Sequence, residues 1–328
     1  MSFLRGSAAF RSAVRSARRY ATVPEAKSSN LPLFLGGAGV VGLASYVYLE
    51  YSDKPPVAVK KVQEKSPFDP ENFVDFKLKK IEDYNHNTSK YVFELPNNDA
   101  SLFPIASCLV VKSSADAATP LLDGKGKPVI RPYTPISPSD QEGEFTLLIK
   151  RYEAGKMSQY IHTLKPGENL AFKGPITKIP YKTNEHDAIG MIAGGSGITP
   201  MYQVLVHALA ERENKTKFTL IFANQTSQDI LLKSEFDALK AKYPDTFNVV
   251  YTVDKADKDW KGETGFINKD LIQKHIAPAS LGEKVKVYIC GPPGQVAAIA
   301  GKKEGYKQGE VSGILKELGY TESQVFKF

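Results

Sequence analysis

AIGMIAGGSGITPMYQVLVHALAE, Ala188–Glu211, is the stretch on which the fold of this chain turns. AIGMIA predicts a strand, GGSGITPM (Gly194–Met201) a Gly-rich turn, and the residues from Pro200 to about Glu213 an amphipathic helix. Gly194, Gly195, Ser196 and Gly197 let backbone amides approach an anion without Cβ hindrance. Thr199 is suited to cap the helix and Pro200 to its first position, which turns the positive helix end toward the loop. A phosphate site is the natural reading, and a plain tight turn is the alternative. The spacing Gly195-x-Gly197-x-x-Pro200 is neither GxGxxG nor a P-loop, since no GK[ST] follows.

Outward from this point the pattern differs on the two sides. Downstream, strand and helix alternate: KFTLIFA, a helix around Ser234–Lys242, FNVVYTV, a helical stretch near Asn268–His275, then KVKVYICG. That grammar calls for a doubly wound parallel sheet over 181–328. Upstream, residues 67–180 give short runs such as SKYVFELP, SCLVVKSS and EFTLLIKRYEAG between Pro and Gly, which read as an antiparallel sheet or small barrel.

The chain of 328 residues, 42% apolar and 24% charged, is long enough for about two domains and able to bury cores. Cys108 and Cys290 cannot make a disulfide framework, a four-thiolate zinc site or a four-cysteine iron–sulfur cluster, and the five histidines are scattered, so no metal site is expected. Redox chemistry would need an organic cofactor. Of the net charge of +7, residues 1–30 carry +5, from Arg5, Arg11, Arg15, Arg18, Arg19 and Lys27 against Glu25. The rest is nearly neutral, which argues against nucleic acid as a partner.

Residues 1–24 combine these arginines with Ser and Ala and contain no acid, the composition of a mitochondrial targeting presequence, with a solvated basic tail as the alternative. Residues 31–49, LPLFLGGAGVVGLASYVYL, carry no charge, and as a helix would extend ~28 Å, enough to span a bilayer. Tyr46, Tyr48 and Tyr51 fit its boundary. The alternative is a buried core helix. Residues 50–66, rich in Pro and Lys, read as a linker.

Three further motifs accompany GGSGITP: RPYTPIS (Arg131–Ser137), GKMSQYI (Gly155–Ile161) and CGPPG (Cys290–Gly294). In this order, on a barrel followed by a nucleotide fold, they resemble the ferredoxin-reductase-like flavoproteins and, within them, the NADH–cytochrome b5 reductases. With the presequence and anchor the chain is similar to the fungal mitochondrial form. The resemblance covers Phe68–Phe328. It implies a β-barrel FAD domain, an α/β NADH domain, hydride transfer from NADH to FAD, and single electrons to the haem of a cytochrome b5-type protein. The region of residues 31–49 allows either a stop in the mitochondrial outer membrane or release into the intermembrane space by cleavage, and the folded domains are expected outside the matrix.

Carried onto these positions, the resemblance puts Arg131 on the FAD pyrophosphate, a task for a bidentate cation. Pro132, Tyr133, Thr134 and Ser137 accompany it, with the Tyr133 ring on the flavin and Thr134 near N5, where hydride arrives. Gly155, Lys156, Met157 and Ser158 open a helix whose free N–H groups complete the cradle. RYEAGKMS is a shorter lead-in than the family often has. Lys150 and Tyr152 are flavin-side candidates. GGSGITP lies under the NADH pyrophosphate, Thr199 reaches toward the flavin, and Cys290, Gly291 and Pro292 stand by the nicotinamide. Phe328 shields the site, or simply packs. Thr134 and Cys290 are the expected catalytic pair, Cys290 by alignment rather than as a nucleophile. In FANQTSQDILL (Phe222–Leu232), Asp229 is the acid expected at the adenosine ribose, favouring NADH over NADPH; its alternative role is to start a helix. A rival class for the whole chain is a membrane-anchored nucleotide-binding interaction module without turnover.

Overall fold

The computed structural model describes residues 65–328, which lie within one compact unit, Val62–Phe328. The presequence 1–24, the apolar run 31–49 and nearly all of the linker fall outside the described residues. Among those described, no helix is long and apolar enough to cross a membrane.

The first half folds into an antiparallel sheet in the order β4-β3-β6-β1-β2-β5. Its strands are β1 (Val74–Asn85), β2 (Thr88–Glu94), β3 (Ser107–Ser113), β4 (Arg131–Tyr133), β5 (Glu144–Lys150) and β6 (Asn169–Thr177), with helix α1 (Lys156–Ile161) between β5 and β6. Alternation along these strands turns Phe76, Phe93, Phe145 and Phe172 to one face. There they meet edge to face at centroid distances of 4.9–5.7 Å, apart from the stacked pair Phe93 and Phe145 at 5.3 Å. Pro132 is tolerated because β4 is an edge strand. Just past β4, the Ile136 N–H donates to Thr146 O at 2.9 Å, and the Thr146 N–H donates to Ser137 Oγ at 3.0 Å. These bonds join RPYTPIS to β5, the opposite edge, and bring the two edges of the sheet together.

The second half is a parallel sheet in the order β10-β9-β8-β7-β11-β12. Its elements are β7 (Ala188–Gly194), α2 (Ile198–Ala210), β8 (Lys217–Asn224), α3 (Lys233–Lys242), β9 (Phe247–Val253), β10 (Glu263–Thr264), α4 (Lys269–His275), β11 (Val285–Cys290), α5 (Pro293–Ala300), α6 (Gly313–Glu317) and β12 (Val325–Lys327). The central strands are apolar on both faces because each face is covered. Phe218, Leu220 and Phe222 of β8 pack with the residues of α2, and Ile221 packs on the other side with Leu271 and Ile272 of α4. The chain runs outward from β7 through β8, β9 and β10, then returns to pair β11 with the free side of β7. The strand order therefore switches between β7 and β11, where open α/β sheets leave a crevice at their carboxyl edge.

The start of α2 differs from the sequence expectation. Gly195–Gly197 form a 3₁₀ turn that feeds the helix directly, so Gly197 takes the capping position and Thr199 and Pro200 lie inside the first turn. The Thr199 hydroxyl donates to Ser196 O at 3.3 Å instead of capping an amide. Pro200 fits there because N–H groups of the first turn have no helical acceptor in any case.

Candidate functional site

The flavin-side candidates lie along the β4 edge and the β5–α1 corner. Arg131 is exposed on β4, one guanidinium nitrogen donating to Ile130 O at 2.7 Å and the rest of the fork facing solvent. Tyr133 is half-buried, and burial pushes its phenol up, so the ring is an uncharged surface. Thr134, also half-buried, follows. Ser137 is occupied by the Thr146 amide. At the corner, the Tyr152 N–H donates to Ser158 Oγ at 3.1 Å and Ser158 Oγ donates to Gly155 O at 2.9 Å, closing a loop that presents the first amides of α1. A Cβ on Gly155 would fall 2.5 Å from Ser158 Oγ, so this loop is built around a glycine. Lys156 is exposed; Met157 turns into the barrel core, 2% exposed, and offers only its backbone. An exposed guanidinium, two tyrosine rings and a helix start are donors that fit a dinucleotide pyrophosphate and an isoalloxazine.

The nucleotide-side candidates gather at the switch point. Gly194, Gly197 and Gly291 bring the ends of β7 and β11 into backbone contact, and a Cβ on Gly197 would overlap Cys290 O and lie 2.8 Å from Gly291 N. Gly195 has φ +52, a left-handed conformation that favours glycine. Burial pushes the Cys290 thiol up to about 12, so it is a neutral thiol at physiological pH. Pro292 precedes α5 as its cap residue. Phe328 is half-buried: its N–H donates to Ile289 O at 2.9 Å, and its ring meets Tyr288 edge-on at 5.6 Å. Asn224, at the carboxyl end of β8 and 6% exposed, keeps both side-chain amide atoms without a partner among the described residues. Such a buried donor–acceptor pair fits a polar ligand at this edge. Among the described residues no group of His, Cys, Asp and Glu is arranged to hold a metal ion.

The two sets of candidates meet. Tyr152 Oη lies 2.8 Å from Ser196 Oγ and accepts from the Ser196 N–H at 3.3 Å, so the flavin corner touches the Gly-rich turn. Lys150 and Asp229 meet as well, in a way the sequence did not suggest. Lys150 Nζ donates to Asp229 Oδ1 at 2.8 Å, Thr226 Oγ1 donates to Oδ2 at 2.7 Å, and Asn87 Nδ2 donates to Oδ1 at 3.2 Å. His86 Nε2 stands 3.5 Å away. Asp229 is 3% exposed. Burial alone would raise its carboxyl, but the hydrogen bonds from Lys150, Thr226 and Asn87 more than offset this and hold it at about 2. Around it, Asn85 Nδ2 donates to Gln228 O at 3.1 Å and the Leu232 N–H to Tyr84 Oη at 2.7 Å, seating the β1–β2 turn on the loop after β8. Both Lys150 and Asp229 are thus committed to each other at the seam between the sheets. Asp254, exposed just past β9, is a carboxylate at the same edge for which no side-chain hydrogen bond is found among the described residues. Near it in sequence, past β10, Phe266 is 80% exposed. Neither residue stood out in the sequence; the signal was an acid immediately after a parallel strand.

An antiparallel sheet with a flavin-binding edge joined to a parallel sheet with a nucleotide crevice defines a flavin- and pyridine-nucleotide-dependent oxidoreductase of ferredoxin-reductase-like fold. Residues 75–181 match the oxidoreductase FAD-binding domain family and residues 191–300 the oxidoreductase NAD-binding domain family. The chain belongs to the NADH-cytochrome b5 reductase family. It is 45% identical to NADH-cytochrome b5 reductase 2 of Mycosarcoma maydis, over 97% of this chain and 95% of that protein. It is 42% identical to NADH-cytochrome b5 reductase 2 of Pyricularia oryzae, over 95% of each. Among solved structures, the cytochrome b5 reductase domain of Ulva prolifera nitrate reductase superposes with a TM-score of 0.69 at 27% identity, covering 81% of this chain and all of that one.

Proposed function

We propose that this chain transfers hydride from NADH to FAD and passes single electrons to the haem of a cytochrome b5-type protein. The observation that carries the reading is the junction of Tyr152 with Ser196, which sets the flavin corner against the coenzyme turn. FAD, when bound, supplies the conversion of a two-electron donor to one-electron delivery. Arg131 and the α1 amides would hold its pyrophosphate, and Tyr133 and Thr134 would orient the ring. The α2 N-terminus and the Gly195–Ser196 amides would take the coenzyme diphosphate, while Cys290 lines the site as a neutral, water-excluding group. Coenzyme choice is assigned to Asp254: its carboxylate is free to accept from a ribose hydroxyl and would repel a 2′-phosphate, whereas that of Asp229 is engaged. Purified protein should show a flavin absorption band that bleaches on anaerobic addition of NADH and recovers on addition of oxidised cytochrome b5. A protein without that band, or a band unmoved by NADH, refutes the reading.

The FAD domain is taken as 67–180 and the NADH domain as 181–328, preceded by the presequence 1–24, the membrane helix 31–49 and the linker 50–66. The charge-free apolar run behind an arginine-rich, acid-free start supports an anchor in the mitochondrial outer membrane with the folded domains outside the matrix, and a cleaved form in the intermembrane space. Carbonate extraction of isolated mitochondria tests the anchor, and protease protection tests the side. Release of the whole pool by carbonate would overturn it.

A further inference from the structure

A polar side chain from α5 reaches the glycines at the carboxyl ends of β7 and β11. Gln295, the third residue of α5, lies over both strand ends: a Cβ on Gly194 would overlap Gln295 Oε1, and a Cβ on Gly291 would lie 3.2 Å from both its Cδ and its Nε2. The oxygen of the carboxamide is thus on the β7 side and the nitrogen on the β11 side. Gln295 Nε2 is buried and finds no acceptor among the described residues. An N–H donor kept from water without a partner is unfavourable. None of the four motifs read in the sequence includes this residue.

The sheet order says which part of a ligand Gln295 would meet. A dinucleotide laid across a switch point puts one nucleoside on each side of the first strand. On the β8–β9 side of β7 stand Asn224 and the open carboxylate of Asp254; on the other side stand Cys290, Gly291 and Gln295. We infer that Gln295 reads the nicotinamide-nucleotide half of the coenzyme, its Nε2–H donating to an oxygen of that half, while the adenosine half is held elsewhere. This rests on the coenzyme reading above and adds a specificity residue to it.

The test uses the full-length, FAD-loaded protein and two probes that do not react, NAD⁺ and 5′-AMP, with binding measured by calorimetry. Gln295→Met keeps the length of the side chain and removes the donor; Gln295→Leu removes the donor with a shorter, branched side chain. The expected result for both is a Kd for NAD⁺ raised about 5- to 15-fold, a Kd for AMP within about twofold of wild type, and unchanged flavin content, in line with the loss of one hydrogen bond. Wild-type affinity for NAD⁺ in both variants would overturn the inference, leaving Gln295 as a packing residue or one bonded to a buried water. Equal weakening of NAD⁺ and AMP would overturn it too, since the contact would not be confined to one half. If the wild type itself bound neither probe, the coenzyme reading would fall and this inference with it.

Discussion

Removing the charge of Asp229 should loosen the seam between the two sheets. Its carboxyl is held at about 2 instead of 3.8, which corresponds to about 2 kcal/mol of folded-state stability at neutral pH. Because the folded-state value is depressed, this contribution is fully present above about pH 4 and is lost as pH falls through about 2. Asp229→Asn also strands the buried ammonium of Lys150, and Lys150→Met strands the carboxylate, so each single change should cost about 2–4 kcal/mol. The double variant should cost well under the sum, since neither charge is then left alone. Urea unfolding of the flavin-saturated protein at pH 7, followed by Trp260 fluorescence and by flavin release, gives the four stabilities of the cycle. A coupling of about 1.5 kcal/mol or more is expected. The deficit of Asp229→Asn relative to wild type should shrink between about pH 4 and pH 2. Single effects that add to within about 0.5 kcal/mol, together with a deficit flat across that pH range, would refute the claim that the pair ties the seam.

Arg131→Ala should weaken flavin retention about tenfold or more through loss of a charge-assisted contact, measured by flavin release on dilution; full occupancy would remove Arg131 from the pyrophosphate. Cys290→Ala should lower the rate of flavin reduction by NADH by less than about tenfold and leave its profile between pH 6 and 9 unchanged, because a thiol pushed up to about 12 does not ionise in that range. A pH dependence that vanished with the thiol would contradict this. Asp254→Thr should lower the ratio of kcat/KM for NADH over NADPH by roughly 5- to 150-fold at low salt, with normal flavin content. Asp229→Thr should leave that ratio unchanged while lowering stability; the opposite pattern would return coenzyme choice to Asp229.

The alternation of strand and helix after Ala188 was legible because parallel strands covered on both faces are written as uninterrupted apolar runs, and each helix begins at a recognisable break. Asn268 caps α4 by accepting from the Leu271 N–H at 2.9 Å, a purely local device of the kind a sequence displays. The start of α2 misled for a local reason too: Thr-Pro has the look of a cap, but the preceding Gly-Ser-Gly can itself turn, and it took the first positions. The order of the four motifs, and with it the pairing of a flavin edge with a coenzyme crevice, was legible as a resemblance.

What the sequence by itself determined is the set of local preferences: which segments are strands, which turns need glycine, and which residue types suit an anion. What only the tertiary structure decided is which of the charged and amide groups remain available. Lys150 and Asp229 stand 79 residues apart, and Asn87 lies 142 residues from Asp229, so no local pattern could show that they satisfy one another. Asn224 and Gln295 are ordinary amides in the sequence. The Asn224 amide and the Gln295 Nε2 become conspicuous only when packing buries them without a partner among the described residues, because whether a polar group is satisfied depends on everything packed around it and not on its neighbours along the chain.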